Sequence, residues 1–103
     1  MYKDLLPIGS IVQLRDMERR VMICGRVVCR SGEDKIYDYI ACVYPEGIMG
    51  GEELTFFDRD AIEGVFFIGS QDQDELTFRQ EVLGKLGELT VVNGEIRQKE
   101  QTQ

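Results

Sequence analysis

A strand that runs into a proline turn, residues 37–47, constrains the fold of this chain more than any other segment. Alternation puts Tyr39 and Ala41 on one face and Ile40 and Cys42 on the other, and both faces are mainly apolar. This pattern predicts a central strand that is covered on both sides. Pro45 ends the strand because it has no N–H to donate, and Tyr-Pro-Glu-Gly fits a type I turn.

The segments before this strand predict two more strands. Residues 8–15 and 20–30 are rich in β-branched side chains, and the polar segment 31–35 contains the glycine expected of a hairpin turn. Gly25 lies in the middle of the second strand, where it predicts a bulge or bend. Three successive antiparallel strands form a meander.

The segments after the turn predict shorter elements. Residues 54–57 read as a short strand, Asp58 as the N-cap of a short helix near 58–63, and Gly64 as the left-handed residue that ends it. Residues 65–68 then predict another strand.

An amphipathic C-terminal helix is predicted near residues 72–89. Acidic residues favour its first turn, and apolar side chains recur at helical spacing: Leu76, Phe78, Val82, Leu83, Leu86 and Leu89. Such a stripe would cover the sheet or dock a partner helix. Gly84 and Gly87 each cost a helix up to about 1 kcal/mol, so either the helix breaks near its end or something packs closely there.

Together these patterns predict one α+β domain over residues 1–96. Its sheet is a strongly coiled antiparallel meander of about 4–5 strands, and residues 97–103 form a disordered polar tail. The 103-residue length leaves no room for a second domain.

Composition narrows the classes of partner. The net charge of −7 disfavours a nucleic-acid partner, because phosphate binding depends on clustered Lys and Arg. A basic or amphipathic protein partner is more compatible, although acidity can also serve solubility alone. No apolar run is long enough for membrane insertion, and the first residues lack the features of a signal peptide. A cytoplasmic location is therefore expected.

Catalytic, metal and cofactor sites are not predicted. The chain has no histidine, and its three cysteines show no C-x-x-C spacing, so free, buried thiols are expected. Gly47, Gly50 and Gly51 lack the lysine of a phosphate loop. Carboxylates are the remaining candidates for chemistry, and they are better explained as caps, turn residues and solvated loop: Asp38, Glu46, Glu52, Glu53, Asp58 and Asp60.

Partner-binding candidates follow from two observations. Adjacent aromatics cannot both point inward in a strand, so one of Phe56/Phe57 and one of Phe66/Phe67 must face outward or a covering element. A carboxylate in a covered strand needs a partner, and Arg26 on the neighbouring strand is the candidate for Asp38. The proposed partner-binding residues are Arg26, Asp38, Tyr44, Pro45, Glu46, Gly47, Phe57 and Phe67.

Four pieces of the chain together resemble the bacterial domain-of-unknown-function family 4176 across about residues 5–70. They are residues 5–14, 21–26, 37–47 and 57–66, in matching order and spacing. Asp58-Arg59 departs from the Asn-His pair associated with the family.

This resemblance implies a cytosolic protein of Gram-positive bacteria, from type VII secretion gene clusters that encode toxins with an LXG export domain. Members look like accessory proteins, a chaperone or adaptor that holds the toxin before export. One alternative is an immunity protein that masks the toxin domain. Another is an enzyme or small-ligand domain with a pocket containing Asp38 and Glu52.

Overall fold

The computed structural model describes residues 1–50 and 54–99 and has the predicted α+β composition. It contains a five-stranded antiparallel sheet, a separate two-stranded hairpin and one short α-helix. The strands are β1 (Ile11–Leu14), β2 (Arg20–Cys29), β3 (Ile36–Val43), β4 (Thr55–Phe57), β5 (Ile62–Phe67), β6 (Leu89–Val92) and β7 (Glu95–Gln98), and the helix is α1 (Gln73–Glu81).

The strand order of the main sheet is β4-β3-β2-β1-β5. The first four strands form the predicted meander, and β3 is an interior strand that pairs with β2 and β4. The fifth strand pairs with β1 instead of β4, so β4 and β5 are the two edges of the sheet. The strong coiling of the sheet stays a prediction.

The predicted bulge in β2 is confirmed at Gly25. Ile23 pairs with Ala41 and Gly25 pairs with Ile40, which leaves one extra residue in β2. A Cβ atom at Gly25 would lie 2.5 Å from Cγ2 of Ile40, so a larger side chain does not fit without a shift.

The core lies against one face of the sheet and draws on β1 to β4 and the N-terminal segment. Its buried members are Leu5, Val12, Leu14, Val21, Ile23, Tyr39, Ala41 and Phe57. The ring of Tyr39 packs 5.2 Å from that of Phe57, and its hydroxyl accepts the Leu6 N–H at 2.8 Å. The hydroxyl oxygen of the buried Tyr39 therefore has a hydrogen-bond partner.

The turn between β4 and β5 differs from its prediction. A 3-10 turn spans Arg59–Ala61, but the Asp58 side chain makes no capping hydrogen bond. Its carboxylate instead accepts the Asp38 N–H and pairs with Lys35 Nζ, each at 3.0 Å. Gly64 does not end this turn, because it lies inside β5 without a left-handed φ.

The turn after β3 is also of a different type from the one predicted. The Gly47 N–H donates to the carbonyl of Val43 at 2.8 Å, and the Tyr44–Pro45 peptide bond is cis. The type I assignment is wrong because this hydrogen bond spans one residue more. Gly47 has a φ of 73°, which favours glycine.

The long amphipathic helix predicted for residues 72–89 is not confirmed. Asp72 caps α1 by accepting the Glu75 N–H at 3.0 Å, but the helix ends at Glu81 and a 3-10 turn follows at Leu83–Lys85. Gly84 and Gly87 disfavour a continuation of the helix, since each costs up to about 1 kcal/mol relative to alanine. Leu76 and Phe78 are exposed, so no continuous apolar stripe forms. None of the described helices combines the length and the apolar character needed to cross a membrane.

The last described element is the β6–β7 hairpin. Asn93 and Gly94 at its turn have φ values of 52° and 78°, as a two-residue hairpin turn of type I′ requires. Strand β7 extends to Gln98, two residues into the predicted tail, and residues 100–103 of that tail lie outside the described residues.

Candidate partner-binding surface

Four consecutive apolar side chains are exposed, three at the end of the edge strand β5 and one directly after it. We call Val65, Phe66, Phe67 and Ile68 the β5 patch. Strand β5 pairs with β1 on one side, and no strand among the described residues pairs with its other side. Contiguous exposed apolar surface of this kind is typical of protein-interaction sites.

A bulge between β1 and β5 brings the two phenylalanines together. Val12 pairs with Val65 and Ile11 with Phe67, which leaves Phe66 as an extra residue beside Phe67. The two side chains are 53% and 57% exposed, so both members of this aromatic pair are open to solvent. The prediction that one of them faces outward is confirmed.

Arg20 lies at the margin of the β5 patch. The Cζ atom of its guanidinium is 3.7 Å from the centre of the Phe66 ring, within the range of a cation–π interaction. Arg20 starts β2 and is paired with Gln13 of β1, so the Phe66 ring reaches across β1 to contact it. The patch therefore combines exposed aromatic rings with a positive charge.

The turn after β3 lies next to Arg20. The Tyr44 N–H donates to the carbonyl of Arg20 at 2.9 Å, and Glu46 forms an ion pair with Arg19. The hydrogen bond from Arg19 lowers the pKa of Glu46. Tyr44, Pro45 and Glu46 are exposed, and Gly47 is partly exposed. The structure thus places this predicted segment beside the arginine that contacts the β5 patch.

The predicted pair between Arg26 and Asp38 is wrong. Arg26 donates to both carboxylate oxygens of Glu75 on α1, at 2.7 and 2.8 Å, and the two side chains are only 6% and 10% exposed. These hydrogen bonds lower the pKa of Glu75. Tertiary packing brings in a carboxylate from 49 residues away, which the strand pattern could not indicate.

Arg79 completes this buried group of charges. It donates to the same carboxylate at 3.1 Å, and its Nε is a buried nitrogen without a hydrogen-bond partner among the described residues. The guanidinium of Arg26 also lies 5.3 Å from the centre of the Phe78 ring. Arg26 is therefore a structural residue that ties α1 to the sheet and is not open to a partner.

Asp38 has a different basic partner from the one predicted. Its carboxylate accepts the backbone N–H of Arg59 at 2.9 Å and the Nε–H of the same residue at 3.0 Å. The bond to Asp38 raises the pKa of Arg59. With its side chain 15% exposed, Asp38 fixes the turn after β4, and its role as a partner-binding residue is not supported.

Of the two aromatic candidates, Phe67 is available to a partner and Phe57 is not. Phe57 is 5% exposed and packs in the core, because it pairs with Tyr39 on the buried face of the sheet. Phe56, its neighbour, is only partly buried, and its ring centre lies 5.6 Å from that of Tyr37 with the two rings tilted. Alternation required one of the two to point outward, and the structure assigns the outward position to Phe56.

The cysteines are free thiols, as predicted, but they are not all buried. Cys42 is buried, Cys29 is intermediate and Cys24 is exposed. Partial burial raises the pKa of Cys24, which keeps its thiol protonated near neutral pH. Within the described part of the chain, no three metal-ligating side chains cluster. Glu52 and Glu53 lie outside the described residues.

Two members of the surface were missed in the sequence, Arg20 and Phe66. The doubled phenylalanine was a usable signal, but only the bulge opposite Ile11 shows that both rings are exposed. Arg20 gave no signal, because its position beside Phe66 depends on β5 crossing to the far side of β1.

A protein-family model matches most of the chain. The family model described as "Domain of unknown function (DUF4176)" covers residues 5–78, which include the whole five-stranded sheet, the β5 patch and most of α1. No curated protein and no solved structure matches the chain. The family match extends well beyond half of the chain, and the protein therefore belongs to the DUF4176 family.

Proposed function

We propose that this protein is a non-enzymatic accessory factor, a chaperone or adaptor, which binds an LXG-type toxin of a type VII secretion system in the cytoplasm before export. The observation that carries the proposal is the β5 patch, a row of exposed apolar residues on an edge strand. Exposed apolar surface on a small acidic protein is costly in solubility unless a partner covers it.

Two further observations support a binding role. The arginine and aromatic residues at the patch are the residue types enriched at the centres of protein interfaces. The charged side chains inside the fold, Arg26, Asp38 and Glu75, are held in ion pairs that stabilise the structure. The association with LXG toxin gene clusters is what the resemblance to the family implies, and the proposal takes its partner from it.

The test is co-purification with the toxin encoded in the same gene cluster. The toxin is expressed in two halves, the export domain and the toxic domain, each with the wild-type chain or with Phe66→Ser/Phe67→Ser. We expect the wild type to bind the export domain and the double variant to lose that binding. Val92→Ser serves as the matched control, because Val92 is a similarly exposed apolar residue on the β6–β7 hairpin.

Three results would contradict the proposal. Failure of the wild type to bind either half would exclude a toxin chaperone. Binding to the toxic domain together with rescue of toxin-expressing cells would identify an immunity protein. Equal binding by the double variant and the wild type would show that the β5 patch is not the binding surface.

A further inference from the structure

Among the described residues, Arg20 is the one arginine whose side chain has no hydrogen-bond acceptor. The chain contains eight arginines, and all lie in the described ranges. Seven donate to, or pair with, an oxygen in those ranges: Arg15, Arg19, Arg26, Arg30, Arg59, Arg79 and Arg97. Within the same ranges, the guanidinium of Arg20 contacts only the Phe66 ring. The chain contains 19 acidic residues, and none of those in the described ranges pairs with Arg20.

Arg20 lies where a partner that binds the β5 patch would also cover its positive charge. A protein that covers Phe66 also removes water from the guanidinium 3.7 Å away. Arginine stays protonated at all relevant pH values, so it must keep its charge in such an interface. Burying that charge without an acceptor is costly, whereas a carboxylate satisfies two of its N–H groups at once.

We propose that the β5 patch and Arg20 together bind an apolar protein surface that presents a carboxylate to the Arg20 guanidinium. The identity of the protein that carries this surface rests on the proposed function. The net charge of −7 repels a strongly acidic partner at distances up to the Debye length of about 8 Å. The matching surface is therefore mainly apolar, with the carboxylate as a local contact.

A first experiment tests this chemistry without the toxin. The probe is bis-ANS, which combines aromatic rings with two sulfonates and so imitates an apolar surface with an anionic group. We expect saturable binding by the wild type and about tenfold weaker binding by Arg20→Gln, which corresponds to the loss of one charge-assisted contact. Phe66→Ser/Phe67→Ser should also weaken binding, and Arg97→Gln, an exposed arginine on β7, should not.

Two outcomes of this experiment overturn the proposal. One is the absence of saturable binding to the folded wild type. The other is equal affinity of Arg20→Gln and the wild type. Far-UV circular dichroism establishes that each variant is folded, and Arg20→Lys separates the need for a positive charge from the need for the planar, two-pronged group.

A second experiment uses the toxin export domain and separates the two proposals. If the wild type binds neither half of the toxin, the proposed function fails, and the dye result alone decides the inference. If the wild type binds and Arg20→Gln binds equally well, the inference fails and the proposed function stands. We expect Arg20→Gln to weaken the complex about tenfold and Arg97→Gln to leave it unchanged.

Discussion

Single residues hold this fold together across long distances in the chain, and Ser10 is the clearest case. Its side chain is fully buried, donates to the Pro7 carbonyl at 2.8 Å and accepts the Gly69 N–H at 3.0 Å. A Cβ atom at Gly69 would lie 2.1 Å from the carbonyl oxygen of Ile8, so only glycine fits there. The hydroxyl thus joins the N-terminal segment to the end of the β5 patch.

Replacing Ser10 with alanine should destabilise the protein more than a typical surface change. The variant leaves the buried Gly69 N–H without its side-chain acceptor, which costs about 1–3 kcal/mol. The Pro7 carbonyl keeps the hydrogen bond from the Ser10 N–H at 3.2 Å. We expect the free energy of unfolding in urea to fall by at least about 1 kcal/mol. Ser70→Ala, at the exposed neighbouring position, should change it little, and equal stability of the two variants would refute this role for Ser10.

Among the elements, α1 is attached to the sheet by charge more than by apolar packing. The helix has no buried residue of its own, yet Glu75 makes two close hydrogen bonds with Arg26 of β2. The apolar spacing over residues 76–89 therefore predicts a longer helix than the one that forms. Strands β1 to β3, in contrast, follow from alternation and short polar turns, because both signals are local.

The attachment of α1 should depend on pH through Glu75. Arg26 holds the pKa of this carboxyl below its ordinary value of 4.5. Its stabilisation is therefore complete above that ordinary value and disappears as the pH falls through the lower pKa in the folded protein. At pH 7, Glu75→Gln should cost about 3 kcal/mol, because it leaves a buried arginine without its carboxylate.

Urea unfolding from pH 7 down to pH 3 measures this dependence. The gap in the free energy of unfolding between wild type and Glu75→Gln should narrow towards the acid end. Glu88→Gln is the matched control, since Glu88 is exposed and lies 3.7 Å from Lys99. A gap that stays constant across the range would show that the charge of Glu75 is not responsible.

At the scale of the whole molecule, stability is concentrated in the first two thirds of the chain. Every buried member of the main core lies at or before Phe57, and the β6–β7 hairpin contributes only half-buried or exposed residues. The family match likewise ends at residue 78, before the hairpin begins. The hairpin is thus an addition to a fold that is already complete.

Truncation should show that the fold forms without the β6–β7 hairpin. A chain that ends at Gly87 keeps α1 and should unfold cooperatively, with a loss of about 2 kcal/mol from the half-buried apolar residues of the hairpin. A chain that ends at Gln71 also loses Glu75 and should lose about 3 kcal/mol more. Thermal unfolding followed by circular dichroism distinguishes the two truncated chains. Loss of cooperative unfolding in the longer one would show that the fold needs the hairpin.

The sequence by itself determined the α+β class, the meander of β1 to β4, the bulge at Gly25 and the family. Each depends on local alternation, on turn residues or on the order of short motifs. Only the tertiary structure decided which carboxylate meets Arg26 and where β5 pairs, because those contacts join residues that are far apart in the chain. The segment at residues 37–47 forms the predicted strand and a turn of another type, but the surface we propose for binding is the β5 patch with Arg20 beside Phe66. Those two residues meet only when β5 crosses to the far side of β1.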